Sequence, residues 1–158
     1  MVKLNFLILF AFLTNFAFSQ CESDATIEET QSWLKEKIEM WGGSPIPGTN
    51  YKVELTNCGM VIKEFLNETT DIANTYTIDY SALNIENSTS RTNALGTLKI
   101  LLRGSVSLSN DIFPEYKGEI ELSFTPTDAD FFNRFMKALK HAKCLCPQSK
   151  TNTVKEKF

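Results

Sequence analysis

The residues best suited to chemistry lie close together near the carboxyl end of the chain. His141 is the only histidine, and Cys144 follows it by one helical turn, a spacing at which an imidazole can serve as base for a thiol nucleophile. The carboxyl end of a helix is negative and disfavours a thiolate, although Lys140 and Lys143 partly offset this. We therefore expect His141 to be a solvated helix-end residue that favours the helix dipole when protonated.

Metal and carboxylate chemistry find weaker support in the spacing. The candidate zinc ligands are His141, Cys144, Cys146 and Cys58. Cys-x-Cys with one histidine lacks the paired spacing typical of zinc modules. The carboxylates that could supply an acid and a base for hydrolysis are Asp128 with Asp130 and Glu119 with Glu121. The first pair can instead be explained by its place at the positive amino terminus of a helix. The second pair can be explained by its place on the outer face of a strand. The sequence therefore predicts no catalytic residue, metal or cofactor.

The first 19 residues predict a cleaved signal peptide. Lys3 precedes an apolar run over residues 6–13, and the small residues Ala17 and Ser19 stand at the spacing that signal peptidase accepts. The run is shorter than the roughly 18 to 20 apolar residues that cross a bilayer, so we expect no transmembrane segment in the mature chain. The prediction is an exported protein, periplasmic or secreted.

The leader and the composition of the chain are similar to those of a known group of proteins. The Phe-rich leader ends in the letters FAFSQ, and the remaining chain is rich in Asn, Lys, Ile and Phe. In both respects the chain resembles the uncharacterised small exported proteins of Flavobacteria-like bacteria. The resemblance covers residues 1–20 and the overall composition. The resemblance implies that the protein is exported by such a bacterium, and it implies no particular activity.

Export changes the expected role of the cysteines, which are Cys21, Cys58, Cys144 and Cys146. In an oxidising compartment an even number favours disulfides, and four cysteines allow three pairings. Helical residues two apart point about 200° apart, which disfavours a bond between Cys144 and Cys146. Residues 132–146 have a helical pattern, and helical phase puts Cys146 on the apolar face of that predicted helix. We therefore predict a disulfide between Cys58 and Cys146, and a second one between Cys21 and Cys144. Alternatively, Cys58 and Cys146 are buried small hydrophobes, or Cys21 carries a lipoprotein anchor.

Two helices and about five or six strands are predicted to position these residues. Thr26 and Glu29 form a capping box that starts a helix ending at Gly42-Gly43. Alternation of apolar and polar residues over 51–124 predicts an antiparallel sheet with one covered face, kinked at Gly104. Residues 84–93 are expected to form a long exposed loop.

A second helix is predicted after the sheet. Thr125 suits its N-cap and Pro126 its first position, and Pro147 is expected to end it. Its predicted apolar stripe consists of Phe132, Phe135, Leu139, Ala142 and Cys146. Residues 20–147 are therefore predicted to form a single α+β domain in which both helices cover an antiparallel sheet, followed by a flexible polar tail over 148–158.

The leading functional hypothesis is a non-enzymatic binding or interaction module. It would hold a small apolar ligand between the sheet and the last helix, or present a surface to an envelope protein. The aromatic residues that motivate it, which plain core packing also explains, are Tyr76, Tyr80, Phe124, Phe131 and Phe132. Trp33 lies off the main helical stripe and is expected to flank the core. The net charge of −3 and the lack of a basic cluster argue against nucleic acid.

Two alternatives remain open at this point. One is a hydrolase that uses carboxylates from strands and loops. The other is an inhibitor of secreted hydrolases, for which the loop over residues 44–50 is the first candidate.

Overall fold

A computed structural model describes residues 21, 23–44, 48–66, 71–112 and 114–146. The predicted signal peptide, Pro147 and the predicted tail lie outside the described residues. The elements, in chain order, are α1 (Ile27–Trp41), β1 (Thr49–Thr56), β2 (Gly59–Leu66), β3 (Ile72–Leu83), a 3-10 turn (Ile85–Asn87), β4 (Thr89–Thr92), β5 (Leu98–Ser109), β6 (Tyr116–Phe124) and α2 (Phe131–Leu145).

The six strands form one antiparallel sheet, and the predicted α+β class is confirmed. The strand order begins β1-β2-β3-β5, and every pairing is antiparallel. β3 and β4 pair with successive halves of one edge of β5, while β6 occupies its other edge. The long strand β5 is therefore the centre of the sheet.

The predicted kink in β5 is confirmed at Gly104. Its φ is +109°, and a Cβ at this position would collide with the backbone of Ala82 and Asn84. The register of β5 shifts at this point against both β3 and β6. Only glycine fits this bulge without strain, since the conformation is costly for other residues.

The sheet curves until its outer strands meet. The backbone N–H of Ser123 on β6 donates to Oη of Tyr51 on β1 at 3.1 Å, although these strands are not neighbours in the sheet. Beyond α1, Gly42 bridges to Phe124, and the N–H of Gly43 donates to the Ser123 carbonyl at 2.9 Å. The concave face that results holds the core.

Both helices bury their apolar stripes against this face. Leu34 and Ile38 of α1 are fully buried. The Phe124 ring lies 5.1 Å from the ring of Phe131 and 5.4 Å from that of Phe135, measured between centroids. These tilted aromatic contacts fill the space between β6 and α2.

The start of α2 differs from the prediction. The N–H of Thr125 donates to the Trp41 carbonyl at 2.8 Å, which holds the chain extended beyond β6. The helix therefore begins five residues after Pro126, with Asp130 as its N-cap. Phe131, and not Phe132, completes the buried stripe. Residues four apart lie on the same face of a helix, so Phe131 shares the buried face with Phe135.

The loop predicted over residues 84–93 was wrong in part. It contains the 3-10 turn and the short strand β4, which pairs with Leu98–Leu101 of β5. All four residues of β4 are exposed, so no apolar alternation marks the strand in the sequence. Backbone hydrogen bonds to β5 hold this strand in place. Such bonds do not depend on the pattern of side chains, so the sequence does not indicate them.

Side chains of α1 cover the free edge of β1. Glu39 Oε1 accepts a hydrogen bond from the Val53 N–H at 2.9 Å, and Lys35 Nζ donates to the Val53 carbonyl at 2.5 Å. Lys35 and Glu39 also form an ion pair at 3.3 Å. Both backbone groups of this edge residue are thus satisfied within the chain.

Candidate functional site

A groove of about 440 Å³ separates the amino-terminal segment and the start of α1 from one face of α2. Its lining residues are Cys21, Ser23, Ala25, Glu29, Thr30, Trp33, Arg134, Lys137, Ala138, Lys140, His141 and Cys144. Apart from the buried His141, the α2 residues among them lie outside the stripe that packs on the sheet. The groove therefore lies between the two helices, at the edge of the core that they cover.

Local interactions fix the position of its amino-terminal wall. Thr26 caps α1: its Oγ1 accepts from the Glu29 N–H at 3.2 Å, and its own N–H donates to Glu29 Oε2 at 2.8 Å. The predicted capping box is confirmed. A disulfide between Cys21 and Cys144 ties the segment before the cap to α2.

His141 provides a second tie, and its predicted solvent exposure was wrong. The side chain is 6% exposed, and its Nε2 lies 2.8 Å from the Ala25 carbonyl oxygen. A carbonyl can only accept, so Nε2 carries the proton and donates it. Nδ1 is buried and has no hydrogen-bond partner among the described residues. The side chain thus supports the wall of the groove and is not free at the helix end.

The indole of Trp33 is the largest apolar side chain in the lining of the groove. It is half-buried and packs against the edge of the core, as expected from its helical position. The guanidinium of Arg134 lies 5.9 Å from its ring centroid, within cation–π range. Arg134 Nη2 also pairs with Asp128 Oδ2. An aromatic surface and a cation therefore adjoin at one end of the groove.

The charges that line the groove are mainly positive. Three of them, Arg134, Lys137 and Lys140, recur every three residues and so project from neighbouring positions on α2. Glu29 is the one acidic side chain among the lining residues. The whole chain carries a net charge of −3, so this positive concentration is local. These cations form no continuous run in the sequence, so the positive cluster was not predicted from it.

The four cysteines form two disulfides, Cys21–Cys144 and Cys58–Cys146, with Cα–Cα distances of 5.7 and 5.5 Å. This is the pairing that helical phase favoured. No thiol remains for nucleophilic or zinc chemistry, so both of those candidate roles are excluded. The sulfur of Cys21 is likewise not available for an acyl anchor. The two bridges are consistent with an oxidising, exported compartment.

The candidate carboxylate pairs do not meet in a cleft. Asp128 Oδ1 accepts from the Asp130 N–H at 2.9 Å and shapes the turn before α2. Glu119 pairs with Arg103 on the outer face of the sheet. The outer-face carboxylate of Glu121 pairs with Lys99 and Arg91. Partial burial raises the pKa of Glu121, but the two cations outweigh this and leave it lowered.

Glu64 is a buried carboxylate that was not predicted from the sequence. Its oxygens accept hydrogen bonds from Thr49 Oγ1 at 2.8 Å, Asn74 Nδ2 at 2.6 Å and Tyr76 Oη at 2.7 Å. Glu64 lies in phase with the buried residue Ile62 on β2, and this alternation was the signal that could have revealed it. The cluster is a satisfied structural network within the concave face.

The aromatic residues proposed to hold a ligand serve the core instead of lining the groove. Tyr76, Tyr80, Phe124 and Phe131 are buried, and Phe132 packs against them half-buried. Burial raises the pKa of the Tyr76 hydroxyl, and nearby Tyr51 and Glu64 raise it further. Of the loop proposed as an inhibitor segment, residues 45–47 lie outside the described residues.

Two further observations concern membranes and metals. Neither of the described helices, each of 15 residues, is long and apolar enough to cross a bilayer. Within the described ranges, no group of three or more His, Cys, Asp or Glu side chains is arranged to hold a metal ion.

Comparison of the chain with models of known protein families, with curated proteins and with solved structures finds no match. The groove and the residues that build it are therefore the features of the molecule that point to a function.

Proposed function

We propose that the protein is an exported, non-enzymatic binding module whose groove between α1 and α2 takes a small ligand with an apolar body. The observation that carries this proposal is the groove itself. Its volume of about 440 Å³ lies within the range of roughly 300 to 1,000 Å³ that is typical of small-molecule sites.

The walls support binding because they are apolar and already in position. Trp33, Ala25 and Ala138 supply apolar surface, and the disulfide between Cys21 and Cys144 joins the two sides covalently. A site that is ordered before the ligand arrives loses less conformational entropy on binding.

The state of the reactive side chains favours binding over catalysis. All four cysteines are in disulfides, and His141 is buried with Nε2 donating to a backbone carbonyl. The carboxylates considered for hydrolysis are held in ion pairs or turns. Glu119 and Glu121 pair with cations on the outer face of the sheet, and Asp128 pairs with Arg134 beside the groove. None of these groups supports the alternative of a carboxylate-based hydrolase.

A neutral fluorescent probe, N-phenyl-1-naphthylamine, tests the proposal. The chain has two tryptophans, so a Trp41→Phe variant leaves Trp33 as the only indole. We expect the probe to quench Trp33 and to gain fluorescence with a saturable, single-site isotherm.

Two variants of equal chemistry decide where the probe binds. Ala138→Phe fills the groove and should weaken binding by about tenfold or more. Ala82→Phe adds the same ring at an exposed position on β3 and should leave the affinity unchanged. Equal affinity of both variants and the parent protein would refute a ligand site in the groove.

A further inference from the structure

We infer that the natural ligand is an organic carboxylate with an elongated apolar tail, bound with its carboxylate at Arg134 and Lys137. This inference depends on the proposed function, since it specifies the chemical class of ligand for the same groove. Three features lead to this inference: the charge of the groove lining, the geometry of Arg134 and the length of the groove.

The charge of the lining favours an anion. Arg134, Lys137 and Lys140 face the groove against the single carboxylate of Glu29. That carboxylate accepts a hydrogen bond from the Thr26 N–H at 2.8 Å as part of the helix cap. Its charge is directed to the positive amino end of α1, where it is stabilised. An anion in the groove therefore meets mainly cations.

Arg134 is suited to hold a carboxylate beside an apolar surface. A guanidinium carries five N–H donors in a planar fork. Among the described residues, Asp128 is the only hydrogen-bond acceptor that it contacts, through Nη2. The ion pair with Asp128 and the cation–π contact with Trp33 restrict the side chain before a ligand arrives. A restricted guanidinium loses less entropy when it binds a second carboxylate.

The length of the groove favours an elongated tail. The lining of α2 extends from Arg134 to Cys144, which at 1.5 Å per residue corresponds to about 15 Å. Beyond the two amino-terminal cations, Ala25, Ala138 and the disulfide supply apolar surface, and Ser23, Lys140 and His141 complete the lining toward Cys144. Such a surface matches a single hydrocarbon chain that extends from the carboxylate toward Cys144.

Competition against the bound naphthylamine probe tests the inference with matched ligands. Decanoate, decanol and decyltrimethylammonium share a ten-carbon chain and differ in the charged group. Below their micellar concentrations, we expect decanoate to displace the probe at about tenfold lower concentration than decanol. The ammonium compound should be the weakest competitor.

The Lys137→Gln variant should lose most of this preference for decanoate while its affinity for the neutral probe stays within about twofold. Lys137→Arg should retain the preference because it keeps the charge. Lys117→Gln, which removes an exposed cation of β6 outside the groove, is the control and should behave as the parent protein.

The outcomes separate this inference from the proposed function. If the probe binds in the groove but decanol competes as well as decanoate, the carboxylate inference is wrong and the binding module stands. If the probe does not bind, both fail. Binding to phosphatidylcholine vesicles that contain phosphatidylglycerol, without displacement by free decanoate, would overturn the inference in favour of a membrane surface.

Discussion

His141 Nε2 donates a hydrogen bond to the Ala25 carbonyl at 2.8 Å and so joins positions 116 residues apart in the chain. The neighbouring disulfide between Cys21 and Cys144 spans 123 positions. These two links hold the segment before α1 against α2, and together they define the groove. Variants that remove these links therefore test the stability of the groove wall separately from the stability of the core.

Loss of the histidine link should loosen the wall of the groove. His141→Phe keeps a ring but removes the donor, and we expect a loss of about 1 kcal/mol in the free energy of unfolding. His141→Gln, which keeps an N–H donor, should recover part of this loss. Urea denaturation measures both values, and hydrogen exchange should show faster exchange over residues 23–26 in the Phe variant. Wild-type stability and exchange in His141→Phe would contradict the assigned role.

The two disulfides should have different effects on binding. Replacing either pair with alanine removes a long-range link and should destabilise the fold by about 3 to 4 kcal/mol. Only the loss of Cys21–Cys144, which lines the groove, should also weaken binding of the naphthylamine probe. Cys58 and Cys146 are the matched control. Equal loss of affinity in both double variants, measured where each is folded, would argue against the groove.

Adjacent phenylalanines of α2 should differ in their contribution to stability. Phe131 is fully buried among Trp41, Phe124 and Phe135, so Phe131→Ala should cost about 3 to 5 kcal/mol. Phe132 is only half-buried, and Phe132→Ala should cost clearly less. Chemical denaturation of the two variants measures the difference. The reverse order would mean that the helix is rotated from the phase described.

Glu64 should be essential to the concave face although it is acidic. Glu64→Gln replaces one acceptor oxygen by a donor amide among three donors, and we expect a loss of about 2 to 3 kcal/mol. Glu119→Gln, on the outer face, should cost about 0.5 kcal/mol or less. Thermal and urea unfolding distinguish the two. A tolerated Glu64→Gln would show that the network does not need a carboxylate.

Glu121 should contribute to stability only while it is ionised. Its folded-state pKa is below the reference value of 4.5, so its contribution is complete above that value and is lost as the pH falls through the folded pKa. At neutral pH, Glu121→Gln should cost about 0.5 kcal/mol, and the difference from the parent protein should vanish in acid. Urea titrations at several pH values measure this. A difference that persists in acid would exclude the ion pairs as its cause.

Local signals in the sequence identified most of the fold. The Thr26–Glu29 capping box, the alternation in the strands and the bulge at Gly104 each depend on neighbouring residues. The start of α2 could not be found in this way, because the Trp41 carbonyl binds the Thr125 N–H and keeps the chain extended. A tertiary hydrogen bond overrode a favourable local N-cap.

The candidate site lay beyond sequence reasoning for a related reason. Trp33 and Arg134 adjoin only because α1 and α2 pack side by side on one sheet. The burial of His141 likewise follows from the segment that lies over it, which the phase of α2 alone does not reveal. Residue types were visible in the sequence, but their arrangement required the contact of α1 and the segment before it with α2.

The contacts of Val53 have a consequence for the behaviour of the protein at high concentration. An exposed strand edge offers unpaired N–H and carbonyl groups on which another chain can add a strand. Glu39 and Lys35 occupy both groups in the middle of β1, and a second molecule would have to displace a pair of charged side chains to continue the ladder. The first helix thus opposes edge-to-edge addition of another chain along β1.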